Sequence, residues 1–342
     1  MRSLARYAVA NTVVRSRLSG LLKAAQYEAL TRSSREEAWN LLLGTPFGEK
    51  LPAWSGQNIY EIEAVLHNAS ASYFQGVVHA LSGYTGEAGR HLLSRWDLDL
   101  LEYALRLWHG KEGDAGIING YRGFVNTFST EAVVSAETLE DLVQALKRTV
   151  YVEVIERAKS LYSQRHSLFY LENALEKDFY QRLLSRVVSL GGSDGGEARA
   201  MVDAEIDLVN LATVARLLNY TGIPAEEFPE YLFPGGTVIS KGLLRLEKRG
   251  TTVMDLLAQA MAGSGAGAAE GSTPLEGIDA LEKMLEEMLR NEARRALAGY
   301  PFSFKTVMAF YALTRSELRQ LRSVFAAKRP GAEDGVQLSA SA

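Results

Sequence analysis

Two ten-residue stretches decide the fold: DLDLLEYALR at 97–106 and DLVNLATVAR at 207–216. Each opens on an acid and closes on an arginine nine residues later, Asp97 to Arg106 and Asp207 to Arg216, and the two stretches are 110 residues apart. A further 110 residues reaches Glu317 in SELRQLRSVF (316–325), where the pattern weakens: position 326 is Ala and the nearby arginines are Arg319 and Arg322. Three residues past each acid stand Leu100, Asn210 and Gln320. Earlier in each unit an acid precedes a leucine by three positions: Glu63 and Leu66, Glu172 and Leu175, Glu282 and Leu285. Ordered elements recurring at a long, constant period indicate repeated copies of one larger unit. The boundaries expected from this repeat are 1–115, 116–224 and 225–330, with a disordered tail at 331–342.

Nine residues along an α-helix is about 900°, so the acid and the arginine of each copy lie on opposite faces and cannot pair. An acid near a helix start and an arginine near its end both suit the helix dipole, and the acid is placed to cap. These positions are therefore expected to orient a helix in each copy, not to perform chemistry.

The flanking sequence is helical in character. No proline falls between Pro52 and Pro224, and proline is the residue that helix interiors exclude. In Leu139–Ile155 the apolar residues recur at spacings of three and four, which predicts a helix there. Leu281, Met284, Leu285, Met288 and Leu289 predict another. Alternating runs of strand length are scarce. The expected class is all-α. Breakers are expected at Gly110–Gly116, at Gly191–Gly196 (GGSDGG) and from Pro224 to Gly236, with a mobile low-complexity stretch from Met261 to Pro274.

Composition limits the chemistry. The chain has 342 residues, 37 Lys+Arg against 41 Asp+Glu, a net charge of −4 and no cysteine. Thiolate catalysis, disulfides and cysteine-ligated metal sites are excluded, and no overall basic excess points to nucleic acid. Residues 1–27 carry Arg2, Arg6, Arg15, Arg17 and Lys23 and no acid; they are expected to form a first amphipathic helix of the fold, not a leader. The apolar run Ile206–Tyr220 contains Asp207 and Arg216 and is too short to span a membrane. Gly191–Gly195 fits G-x-S-x-G, but all five histidines precede Ser193 and the segment before it has a helical pattern, so a linker is expected. His67, His79 and His91 are twelve apart and share no helix face. No Walker-type phosphate loop and no HExxH occur. Catalytic, cofactor and metal residues are accordingly expected to be absent.

Several motifs in order resemble the C-subunit family of the prokaryotic A/V-type ATP synthases, whose eukaryotic counterpart is the d subunit of the vacuolar ATPase. They are Tyr7-x3-Asn11-x3-Arg15-x-Arg17, then Leu43-Gly44-Thr45 before Phe47, then Asp207-x2-Asn210-x5-Arg216, and finally Pro301-Phe302 leading to Ala309–Leu313 and Glu317-Leu318-Arg319. The sequence departs from the pattern at Leu100, where Asn is expected, in the third copy, and in the Gly/Ala insertion. The resemblance implies three helical subdomains about a pseudo-threefold axis, forming a funnel. It implies a non-catalytic rotor subunit, one copy per complex, peripheral on the cytoplasmic face of the membrane. Its partners would be the central-stalk subunits and the membrane proteolipid ring, through which it would pass torque for coupled ion transport. The alternative reading is a helical adaptor of another multiprotein complex. An isoprenoid-type helical enzyme lacks its clustered aspartates here, because Asp97 and Asp99 point to different faces.

Overall fold

The computed structural model describes residues 2–110, 118, 120–220, 223–224, 227–237 and 274–328. The expected tail at 331–342, the low-complexity stretch before Pro274 and most of the Gly110–Gly116 breaker lie outside the described residues. Among the described residues the elements are thirteen α-helices and one 3-10 turn, with no strand. The all-α expectation holds.

The described residues fall into two compact units, one drawn from Met1–Leu168 with Phe310–Ala342 and the other from Phe169–Ala309. The first contains α1 (Arg2–Leu18), α2 (Ala24–Arg32), α3 (Arg35–Leu43), the 3-10 turn Gly48–Lys50, α4 (Ile59–Val78), α5 (Gly83–Gly110), α6 (Thr130–Val134), α7 (Leu139–Leu146) and α8 (Val152–Arg165). The second holds α9 (Phe169–Ser189), α10 (Gly192–Tyr220), α11 (Phe228–Tyr231) and α12 (Pro274–Ala298). The boundary between the units falls within α13 (Phe304–Ala326).

Helix starts in the first unit are fixed locally. Ser34 accepts the N–H of Glu37 while the Glu37 carboxylate accepts that of Ser34, and Asn58 with Glu61 and Thr138 with Asp141 make the same reciprocal exchange. Each pair satisfies donors that a helix N-terminus leaves open. The run 139–155, expected as one helix, is two: α7 ends at Leu146, where Lys147 caps it, and α8 starts at Val152. Thr149 explains part of the break, because its hydroxyl accepts the N–H of Tyr151 and donates to the Leu146 carbonyl. The GGSDGG stretch is only partly a linker. Gly191 and Gly192 have φ of 70° and 55°, and α10 already begins at Gly192.

The core of the first unit is aromatic. Phe74 stacks on Trp96 at 5.7 Å, and Tyr311 meets both rings edge-on, at 5.5 Å and 5.7 Å. Trp39 packs on Phe325 at 5.9 Å. Beside this cluster an ion pair joins residues 216 positions apart: Arg315 on α13 grips both carboxylate oxygens of Asp99 on α5, and Arg95 adds a third contact at 3.0 Å. Arg315 also lies over the Trp96 ring at 5.2 Å. Burial opposes charge on Asp99, but Arg315 and Arg95 outweigh it and hold the carboxyl well below the usual carboxylate range. Further along α13, Arg322 donates to Nδ1 of the fully buried His67, whose ring meets Tyr121 edge-on at 5.1 Å. Burial, with Arg322, pushes His67 down to about 3, so it stays neutral at ordinary pH.

In the second unit α9 and α12 both pack on α10. Leu171, Leu175, Leu183 and Val187 of α9 and Val202, Ile206 and Leu211 of α10 are buried. Leu66 and Leu175, the leucines of the first two acid–leucine pairs, are core residues of their respective units, while Glu63 and Glu172 are half-buried.

Removing one side of a buried ion pair strands the other charge, at a cost of about 3 kcal/mol or more. Asp99→Ala is therefore expected to lower unfolding stability by about that amount in a denaturant titration, and a loss below about 1 kcal/mol would refute the pair's role. Because Asp99 titrates below its unfolded value, its contribution is present above the ordinary carboxylate range and is lost as pH falls further.

Candidate functional site

The acids singled out by the repeat sit in the middle of the long helices, not at their starts, so they do not cap them. What they do instead is hold connecting backbone. Asp97 is fully buried on α5, and its carboxylate accepts the main-chain N–H groups of Phe124 (2.6 Å), Val125 (2.8 Å) and Asn126 (2.8 Å). Burial raises its pKa, and the three N–H donors oppose that shift. The segment that follows α5 is thereby pinned back onto the helix it left.

Asp207 on α10 does the same in the second unit. Both its oxygens accept the N–H of Thr237 at 3.0 Å, and one takes the Thr237 hydroxyl at 2.9 Å. Asn210, one turn on, holds Phe233 at both ends: its amide oxygen accepts the Phe233 N–H at 2.6 Å and its amide N–H donates to the Phe233 carbonyl at 3.1 Å. Asp203, which the repeat does not single out, accepts the N–H of Gly236 at 3.0 Å. Gly235 has a φ of 117°, and a Cβ there would approach Asp203 Oδ1 and Ile206 to 3.0 Å each. Position 235 therefore has to be glycine for the segment to lie this close. In the first unit the place of Asn210 is taken by Leu100, which is buried in the core.

Glu317 on α13 is 5% exposed. It accepts a main-chain N–H from Leu22, in the link between α1 and α2, at 3.0 Å. The contact ties the α1–α2 link to α13 across 295 residues. Burial raises Glu317 to about 7, outweighing the opposing effect of the Leu22 N–H.

Arg106 and Arg216 are half-buried, near the ends of α5 and α10. The first-helix positions divide by face. Tyr7 is in the core, Arg15 is exposed, and Asn11 is half-buried with its Oδ1 shielded and without a hydrogen-bond partner among the described residues. The Arg17 guanidinium lies over the Tyr73 ring at 5.0 Å, and Tyr73 donates its hydroxyl to the Arg17 carbonyl at 2.8 Å. The structure thus groups Asp207 with Asn210 on α10 and Arg17 with Tyr73.

Among the described residues no group of three His, Cys, Asp or Glu side chains is placed to hold a metal ion. Ser193, in the G-x-S-x-G match, lies in the first turn of α10. The chemistry on view is hydrogen bonding of backbone by carboxylates. Sequence reasoning missed Asp203, Asp99 and Arg315 because nothing in a single sequence ties them to partners 33 or 216 residues away.

A family model described as "ATP synthase (C/AC39) subunit" matches residues 10–336. The C subunit of the A-type ATP synthase of Methanosphaera stadtmanae is 21% identical over 331 residues, covering 94% of this chain and 84% of the relative. That of Methanothermobacter thermautotrophicus is 24% identical over 340 residues, covering 95% and 85%. That of Halobacterium salinarum is 23% identical over 337 residues, covering 95% and 94%.

Glu317 sets a pH dependence. Its folded pKa, about 7, exceeds its ordinary value of 4.5, so its stabilising contribution is complete below pH 4.5 and is lost as pH rises through 7. The melting temperature of the protein minus that of Glu317→Gln is expected to fall as pH is raised across this window. Parallel melting curves for the two proteins across that range would contradict it.

Proposed function

The chain belongs to the ATP synthase (C/AC39) subunit family, and on that premise we propose that it is the rotor coupler of a prokaryotic A/V-type ATP synthase. It stands between the central stalk and the membrane proteolipid ring and carries torque from one to the other. It performs no chemical step, and one copy serves each complex. Its place is peripheral, at the cytoplasmic face of the membrane; among the described residues no helix is long and apolar enough to cross one. Three related helical units, near 1–115, 116–224 and 225–330, form the funnel that receives the stalk.

The observation that carries this reading is the family match over residues 10–336, which takes in nearly the whole chain. The all-helical architecture agrees with it. The proposal of related units draws support from the shared geometry at Asp97 and Asp207. Each is a buried acid in mid-helix that receives main-chain N–H groups some thirty residues downstream, at 124–126 and at 237. A torque-bearing wall of this kind needs its connectors fixed to its helices, because a loose connector would absorb the load.

Deletion of the subunit from its complex is expected to leave ATP hydrolysis by the head largely intact and to abolish ATP-driven ion transport into sealed vesicles. Ion pumping at full rate by a complex verified to lack the chain would overturn the coupling role.

A further inference from the structure

Arg17 and Arg122, far apart in the sequence, converge on one residue. Both are in the first unit, and both lie on Ser72 of α4. Arg17, from the end of α1, donates Nη1 to the Ser72 carbonyl at 3.5 Å, while Arg122 donates Nη2 to the Ser72 hydroxyl at 2.6 Å. Each guanidinium also rests on an aromatic ring, Arg17 over Tyr73 at 5.0 Å and Arg122 over Phe124 at 4.9 Å. Gly76, one turn beyond Ser72, leaves the room that the Arg17 head occupies; a Cβ there would collide with it.

Among the described residues no carboxylate pairs with either guanidinium. Half-burial lowers the pKa of Arg17, with the Tyr73 oxygen opposing that shift. A guanidinium carries five N–H donors, and the bonds to Ser72 use one from each. Two planar forks, stacked on rings and tethered to one serine, are preorganised for a ligand that accepts several hydrogen bonds and brings negative charge.

The charge distribution narrows the ligand. Residues 1–27 hold five cations and no acid, in a chain whose net charge is −4, so the rest of the chain nets −9. An extended anionic surface would also meet acidic residues of that remainder, whereas a short acidic segment need meet only the two guanidinium groups. Exposed apolar groups flank the cations on the same helix: Leu4 is 51% and Val9 64% exposed.

We propose that Arg17 and Arg122 form a docking site for an acidic segment of a protein partner, a loop or terminus with adjacent carboxylates. The inference rests on the reading of the chain as one subunit of an assembly, but its test does not depend on which assembly. The full-length protein is titrated with hexaglutamate at low and at physiological salt, and separately with vesicles of phosphatidylcholine containing a minority of phosphatidylglycerol. Peptide binding is expected to weaken at least roughly tenfold in Arg17→Gln/Arg122→Gln, as the loss of two charge-assisted contacts implies. It is expected to weaken also in Arg122→Gln alone, an exposed position at which folding is not at stake. It is expected to be unchanged in Lys147→Gln/Arg148→Gln, which removes two exposed cations elsewhere on the same unit. The vesicles are expected to bind weakly and without dependence on the two arginines. Peptide binding that is absent, or equally affected by the control pair, overturns the site. Arginine-dependent vesicle binding without peptide binding replaces it with a lipid-headgroup site. Loss of ion transport on deletion of the subunit, with no peptide binding, would leave the coupling role standing and remove only this site.

Discussion

A carboxylate buried away from water must find donors, and the connectors between helices carry main-chain N–H groups that no helix uses. Here the acceptors are carboxylates in the middle of long helices. Asp97 takes three consecutive N–H groups at 124–126, and Asp207 with Asp203 takes those of Thr237 and Gly236. An unmade buried hydrogen bond costs about 1–3 kcal/mol, and bonds to a charged acceptor are among the strongest a backbone makes. These acids therefore set where the chain goes after it leaves each long helix.

Three acids enclosed to different degrees in the first unit differ in how well their own charge is satisfied. Asp97 is wholly buried but has three N–H donors, so burial and hydrogen bonding oppose each other. Asp99 is answered by two arginines and is driven the other way. Glu317 is offset only by the Leu22 N–H, and burial prevails. At the contact that joins the α1–α2 link to α13, burial thus outweighs the single N–H donor. The protonation of Glu317 changes near neutrality.

Much of the architecture was legible in the sequence. Spacings of three and four identified helices, and the 110-residue offset singled out Asp97 and Asp207, which make closely similar contacts. The contacts themselves were not legible. Periodicity says which face of a helix is buried, not what meets it, so an acid inside a helical pattern reads as a cap when its partner lies about 30 residues away. Periodicity also ran through Lys147–Tyr151, where Thr149 turns the backbone out of the helix. Long-range pairs such as Asp99 with Arg315 leave no local trace, and neither does the convergence of Arg17 and Arg122 on Ser72.

The two acids of α5 hold that helix from two sides. Asp97 and Asp99 are two residues apart, which on a helix is a rotation of about 200°, so their carboxylates leave from nearly opposite sides. One side is tied to backbone at 124–126 and the other to Arg315 on α13. Interdigitated packing already resists rolling of a helix, and directional bonds on both sides add to that resistance. A helix held on both sides by directional bonds must move with its neighbours. Under the coupling role proposed above, such paired clamps would turn side-chain hydrogen bonds into stiffness, and the mid-helix position of the acids, far from either fraying end, is where a clamp holds the helix best.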